Sequence, residues 1–288
     1  MAESIISGVK IDIRGIALLV LIIGLFLCHV LYIYNDSQGW MVDDAYISFR
    51  YAENLADGKG LVFNEGERVE GYTNFLWVVL LAFFYKIGFY TPDIAVLLGI
   101  FFAILGIVYL YLLTRSLHFQ GGMRFFSFIP PALLAASNSF ALWSFGGLAN
   151  PLLIFLLVSG FHYLLGKRNF IAGSILISLS ALARPEGLLF VGCTFIYLCA
   201  KEKRISRDLL LYSGIALFLT GGHLLFRLAY YGYPLPNTFY NKVGFNTAQL
   251  QRGLTYLYGF FSTYALFLPL SLLSLLIPER RKEITLFA

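Results

Sequence analysis

Charge is scarce in this chain: only 13% of its 288 residues are Asp, Glu, Lys or Arg, while 59% are hydrophobic. A soluble domain carries about 25% charged residues, so that balance excludes a water-soluble globule. Cysteine is scarce too. Cys28, Cys193 and Cys199 all lie in apolar runs, which excludes a disulfide framework and a thiolate metal cluster. Histidine numbers four; His29 and His223 sit in apolar runs without a second ligand at metal spacing, and both read as interior histidines with satisfied ring nitrogens. No Gly-rich phosphate loop of the Walker or dinucleotide type is present, so a nucleotide-sugar donor has no support. The net charge of +5 lies in short breaks between apolar runs and not in one basic face, which argues against a nucleic-acid partner.

What is there is apolar sequence in long runs. Residues 14–34 are long enough to span hydrocarbon as a helix, and with no small-residue cleavage site after them they read as a retained anchor. Further runs occupy 74–90, 93–114, 125–144, 151–166, 170–183, 187–200, 208–230 and 254–277. Cationic breaks at Lys10/Arg14, Arg115/Arg124, Lys167/Arg168, Lys201/Lys203/Arg204/Arg207 and Arg280/Arg281/Lys282 belong on the cytoplasmic side. They share that side only if one run does not cross. The run 74–90 is short, contains Lys86 and stops at Gly88, so it reads as a juxtamembrane helix. The expectation is an all-α integral membrane bundle of about eight transmembrane helices with a cytoplasmic N-terminus. It forms a single transmembrane domain over 1–288, with external loops at 35–92 and 231–253. Runs 170–183 and 187–200 fall short of a full span, which implies tilt or local thinning.

The first external loop is acidic: Asp43, Asp44, Glu53, Asp57, Glu65, Glu67 and Glu70 stand against Arg50, Lys59 and Arg68. Within it Ala45, Phe49, Ala52 and Ala56 recur at helical spacing, and Gly58 and Gly60 end that helix. Asp43 and Asp44 then fall at its N-terminus, where free amides and the helix dipole favour ionised carboxylates. Neighbouring positions point about 100° apart, so one Asp can cap while the other faces a site. An accessible ionised Asp at a membrane surface is what a general base requires.

The run DDAYISFRYAENLADGKGLVFNEGERVEGYTNFLW (43–77), with ALARPEG (181–187) and RLAYYGYPLPNTFYNK (227–242), resembles the membrane glycosyltransferases of the GT-C class. The branch it looks most similar to holds the mycobacterial-type terminal arabinofuranosyltransferases. Protein O-mannosyltransferases and lipid A aminoarabinose transferases share the plan more distantly. The resemblance implies transfer of one sugar, arabinofuranose or mannose-like, from a polyprenyl-phosphate donor to an extracytoplasmic acceptor with inversion. The acceptor would be an envelope glycan, glycolipid or glycoprotein. It implies Asp43 or Asp44 as base and Arg184, Lys242 and Arg227 at the donor phosphate. Tyr72, Asn74, Glu186, Asn237, Tyr240 and Asn241 would serve the sugar or the acceptor. No cofactor is implied with certainty, although the external acids leave a divalent cation open.

Two departures stand out. The family's acid in a Gly-Leu-Glu-Thr-Pro pattern is replaced here by Ala149 within GGLANP. Relatives also continue into further helices and an external C-terminal domain, whereas this chain ends soon after PERRKE. Plainer readings stay open beside the catalytic ones. The Asp pair is also a good helix cap, Arg184-Pro185-Glu186 is also an ion-paired turn, and Arg227 near a helix end also suits snorkelling. A catalytically inactive donor-binding relative and a flippase for lipid-linked sugar are the alternative functions.

Overall fold

The computed structural model describes residues 13–118, 121–202, 205–242, 247–263 and residue 265. Among the described residues every regular element is helical. Helix α1 (Ile13–Asp36) has 24 residues and rises about 36 Å, more than the roughly 30 Å of bilayer hydrocarbon. Its Ile16, Val20, Leu21 and Leu25 are 51% to 62% exposed, an apolar face that suits lipid and not water. Helix α4 (Thr91–His118) contains a second span-length stretch.

The third is the helical stretch Arg207–Tyr231, built from α10 (Arg207–Ala216), a π-helical turn over Leu217–Gly221 and α11 (Gly222–Tyr231). A fourth candidate is bent by 59° between Phe125–Ala135, which includes α5 (Ile129–Ala135), and α6 (Asn138–Phe145). The bend has a local cause. Ser137 accepts the Phe140 N–H and starts α6 afresh where α5 ends. The chain is an all-α membrane protein.

The runs at 151–166, 170–183 and 187–200 become α7 (Asn150–Phe161) with a π-helical turn at His162–Gly166, α8 (Phe170–Ala183) and α9 (Gly187–Glu202). These are shorter than a full span; the 14 residues of α8 rise about 21 Å. Of the run 254–277, residues up to Thr263 belong to α13 (Thr247–Thr263), and apart from residue 265 its remainder lies outside the described residues. So do Lys10, Lys203, Arg204 and the cations at 280–282.

Three apolar clusters hold the bundle. One joins α1, α4, α5 and α6 around Phe26, Ile107 and Tyr111, and another joins α7 to α10 around Leu164, Ile177 and Tyr212. The third positions the site. It packs α2 (Asp43–Ala56) and α3 (Phe75–Lys86) onto the starts of α4 and α7 and the ends of α8 and α11. Ala45, Phe49 and Ala52 turn the apolar face of α2 inward, while Asp43, Asp44 and Arg50 remain exposed. The 12 residues of α3 rise about 18 Å, too little to cross a bilayer. Trp77 on α3 is fully buried and donates its Nε1–H to the Gly147 carbonyl at 3.1 Å, pinning the loop before α7 to α3. Gly147 has φ +82° and a Cβ there would stand 2.8 Å from the Cβ of Ala45, so glycine alone allows this approach.

Candidate active site

The acidic loop between α2 and α3 has little regular structure, yet its backbone is held firmly. Tyr51 donates to the Val69 carbonyl at 2.6 Å and accepts the Gly71 N–H at 2.8 Å. Asn54 donates to the carbonyls of Val62 and Phe63, both at 2.9 Å. The far end of α11 reaches over to finish the job. Tyr230 Oη accepts the Leu61 N–H at 3.0 Å, and Tyr231 donates to the Leu61 carbonyl at 2.7 Å. Gly60, at φ +96°, admits the Tyr230 hydroxyl where a Cβ would lie 2.6 Å from it. Arg68 stacks over the Tyr230 ring at 4.8 Å. A loop without secondary structure thus becomes a fixed wall.

Behind that wall lies a cavity of about 840 Å³. Asp44, Ser48, Asn74, Glu70, Arg184 and Arg227 supply polar groups to its wall. Leu182, Leu188, Leu217, Leu224, Leu235 and Phe239 are among its apolar lining. The two Asp residues divide their work. Asp43 Oδ1 accepts the Asp44 N–H at 2.9 Å, while Asp44 lines the cavity and Asp43 does not. One turn further along α2, Ser48 and Asn74 form a buried reciprocal pair, with Asn74 Nδ2 donating to Ser48 Oγ at 3.0 Å.

The two arginines reach the cavity from different helices, and each is braced. Arg184, just past α8, donates from Nη1 to Asn150 Oδ1 at 2.7 Å and from Nη2 to Glu186 Oε1 at 3.1 Å. The ion-paired turn is therefore real, and the same arginine also lines the cavity. Burial pushes the Glu186 carboxyl up, but the hydrogen bond and charge of Arg184 outweigh it and hold the group below its ordinary value. Arg227 does not snorkel: its Nε donates to Glu70 Oε2 at 2.7 Å, and Glu70 is only 4% exposed. Burial raises the Glu70 carboxyl above its ordinary value, with the Arg227 bond and charge opposing.

Other residues singled out from the sequence fall elsewhere. Tyr72 lines the cavity, but its hydroxyl pairs with that of Tyr231 at 3.2 Å, and burial lifts its phenol far above the usual range. Glu186 is exposed and off the cavity wall. Asn237, Tyr240 and Asn241 are exposed on α12 (Asn237–Lys242), and the wall takes Thr238 and Phe239 from that helix. Spacings of three and four put those three residues on one helical face, which a loop reading of YNK could not foresee. Lys242 closes α12, and its side chain lies outside the described residues.

Ala149 is fully buried in the apolar cluster beside α2. His29 is satisfied as expected, meeting the Ala135 carbonyl and Asn138 Oδ1. His223 corrects the same expectation. It packs between Phe75 and Phe226, and its Nε2 is buried without a hydrogen-bond partner among the described residues. No group of His, Cys, Asp and Glu suited to a metal ion occurs among the described residues. The residues that sequence reasoning missed are Glu70, Asn150 and Ser48.

No family model matches the chain, and no solved structure matches it. Two curated relatives do. A protein of Mycobacterium tuberculosis named terminal beta-(1->2)-arabinofuranosyltransferase is 29% identical over 271 residues, covering 85% of this chain and 42% of its own length. A protein of the same name from Corynebacterium glutamicum is 31% identical over 267 residues, covering 82% of this chain and 38% of its own. This chain is thus a sequence relative of the mycobacterial-type arabinofuranosyltransferases along most of its length, and it spans about two fifths of theirs.

Proposed function

We propose that the chain is the transfer portion of a GT-C membrane glycosyltransferase that takes arabinofuranose from a polyprenyl-phosphate donor. One observation carries the reading. A single cavity brings an accessible carboxylate, Asp44, together with two arginines, Arg184 and Arg227, and a lining that is otherwise largely apolar. A carboxylate beside cations over a greasy groove suits a ligand that is sugar at one end, anionic in the middle and hydrocarbon beyond. The name of the two relatives supplies the sugar and a beta-(1->2) linkage.

In the proposed step an acceptor hydroxyl oxygen bonds to the anomeric carbon, and its proton passes to Asp44. The bond from that carbon to the phosphate oxygen breaks, and the electron pair leaves on the prenyl phosphate. Arg184 and Arg227 stabilise that departing charge, which fixed cations do best in a partly dry site. The transition state is oxocarbenium-like. The acceptor is an envelope glycan, glycolipid or glycoprotein. Eight crossings with a cytoplasmic N-terminus put Asp44 outside, on the cation distribution. The shorter helices α7, α8 and α9 then cross where the bilayer thins around them.

The test is a transfer assay in detergent with short-chain polyprenyl-phosphate arabinofuranose of both anomeric configurations. Single displacement inverts the anomeric carbon, so a beta product must come from the alpha donor. A beta donor consumed to a beta product would end the single-displacement step. No transfer from any such donor would end the transferase reading.

A further inference from the structure

We propose that Glu70 is a positioning residue that orients Arg227 for the phosphate of the lipid-borne donor, an inference that rests on the transferase reading above. A carboxylate this deeply buried is expensive unless paired, and the partner it has is a cation on the cavity wall. Its position is therefore informative.

Glu70 has two grips on the cavity. Its side chain takes the Arg227 Nε–H at 2.7 Å, and its main-chain carbonyl takes the Asn237 N–H at 2.9 Å. The first grip sets the plane of the guanidinium on the α11 wall. With Nε committed, the Nη nitrogens are the donors left for an anion, and a guanidinium binds phosphate best through two parallel N–H groups. The second grip fixes the start of α12, whose neighbours Pro236, Thr238 and Phe239 complete the wall. Glu70 itself cannot drift, because Tyr51 bonds the backbone on both sides of it, at Val69 and Gly71. The titratable groups facing it are Tyr51, Tyr72 and Tyr231 besides Arg227.

A simple structural staple would make the same bonds, so the test must separate geometry from stability. Glu70→Asp keeps the charge and draws the carboxylate back by one methylene. Glu70→Gln keeps the length and one acceptor oxygen but removes the charge. The probe is farnesyl phosphate in detergent micelles, with inorganic phosphate as a second arm and Tm recorded for each variant.

Positioning predicts that Glu70→Asp weakens farnesyl phosphate binding about tenfold while Glu70→Gln stays within about threefold. In turnover the loss should appear in the donor KM with kcat nearly kept. If Glu70→Asp does not fold, Arg227→Lys serves instead: it keeps the charge, loses the fork, and should show the same tenfold loss. Inorganic phosphate binding as tightly as farnesyl phosphate would overturn the lipid-borne source. Equal farnesyl phosphate affinity in wild type and Glu70→Asp, with only Tm lowered, would make Glu70 a staple and overturn this inference alone. A wild-type chain that binds no farnesyl phosphate overturns the transferase reading and this inference together.

Discussion

Asp44→Asn offers the cleanest separation of chemistry from structure in this molecule. The change is isosteric and the side chain is exposed, so core packing is left as it is. Its structural cost is the lost attraction of a carboxylate to the first turn of α2, about 0.3–1 kcal/mol. Its catalytic cost is the general base, worth about 10²–10⁴ in rate, or about 2.7–5.4 kcal/mol of barrier. Asp43→Asn runs the other way. Its remaining side-chain oxygen still accepts the Asp44 N–H, so the helix start is kept and no cavity-facing group is lost. Side by side in the transfer assay, Asp44→Asn should lower kcat at least a hundredfold with Tm nearly unchanged, whereas Asp43→Asn should stay within about threefold. If Asp43→Asn proves the dead variant, or Asp44→Asn retains a tenth of the rate, the assignment of the base from cavity lining is wrong.

Three further outcomes follow from the same geometry. Asn150→Ala removes the 2.7 Å acceptor of Arg184 Nη1 and leaves Glu186 as its remaining brace. A hydrogen bond to a charged group is worth about 1.5–3 kcal/mol, so the donor KM should rise at least tenfold; an unchanged KM would mean Arg184 does not serve the donor. Ala149→Glu puts a larger, charged side chain into a fully buried site, where overpacking alone costs about 1–3 kcal/mol. The variant should lose several degrees of Tm, and a gain of activity without such loss would restore the family acid as a missing catalytic group. For pH, the folded Glu70 carboxyl lies above its ordinary 4.5 because burial penalises its charge. The native state then binds more protons than the unfolded one from about 4.5 up to the raised value. Stability from this group is full at the acid end and is lost as pH rises through that window. Wild-type Tm should fall with rising pH there relative to Glu70→Gln, and parallel profiles would refute the raised carboxyl.

Local pattern was enough to read much of the fold. The spacing of Ala45, Phe49 and Ala52 announced α2, and those three side chains are buried as a helical face requires. The run 74–90 is marked in the sequence by Lys86 and its stop at Gly88, and α3 is a short helix, as are α7 and α8. What remained illegible depends on distance along the chain. Glu70 and Arg227 lie 157 residues apart, and no periodicity or motif links a loop acid to a cation on α11. Asn150 meets Arg184 across 34 residues of sequence, and no local motif marks that amide as its partner. On α12 the residues Asn237, Tyr240 and Asn241 looked suited to sugar. Their helical register puts them on an exposed face, and Thr238 and Phe239 line the cavity instead.

The contrast between the two arginines bears on how such a cavity can hold an anion at all. Each cation is already bonded within the chain, Arg184 by an amide and an exposed carboxylate, Arg227 by a buried carboxylate. The Glu186 pair is partly in water, with Glu186 55% exposed, so solvent screens it and an arriving phosphate can displace it at little cost. The Glu70 pair is nearly dry, and removing either partner would strand a buried charge at a cost of about 3–5 kcal/mol. Arg227 must therefore keep Glu70 while it meets the phosphate, and a planar guanidinium can hold Glu70 through Nε while parallel Nη–H groups face the phosphate. A lysine there carries its three donors on one nitrogen and cannot present that fork. It follows that Arg184→Lys should be tolerated far better than Arg227→Lys in donor affinity, although both keep the charge.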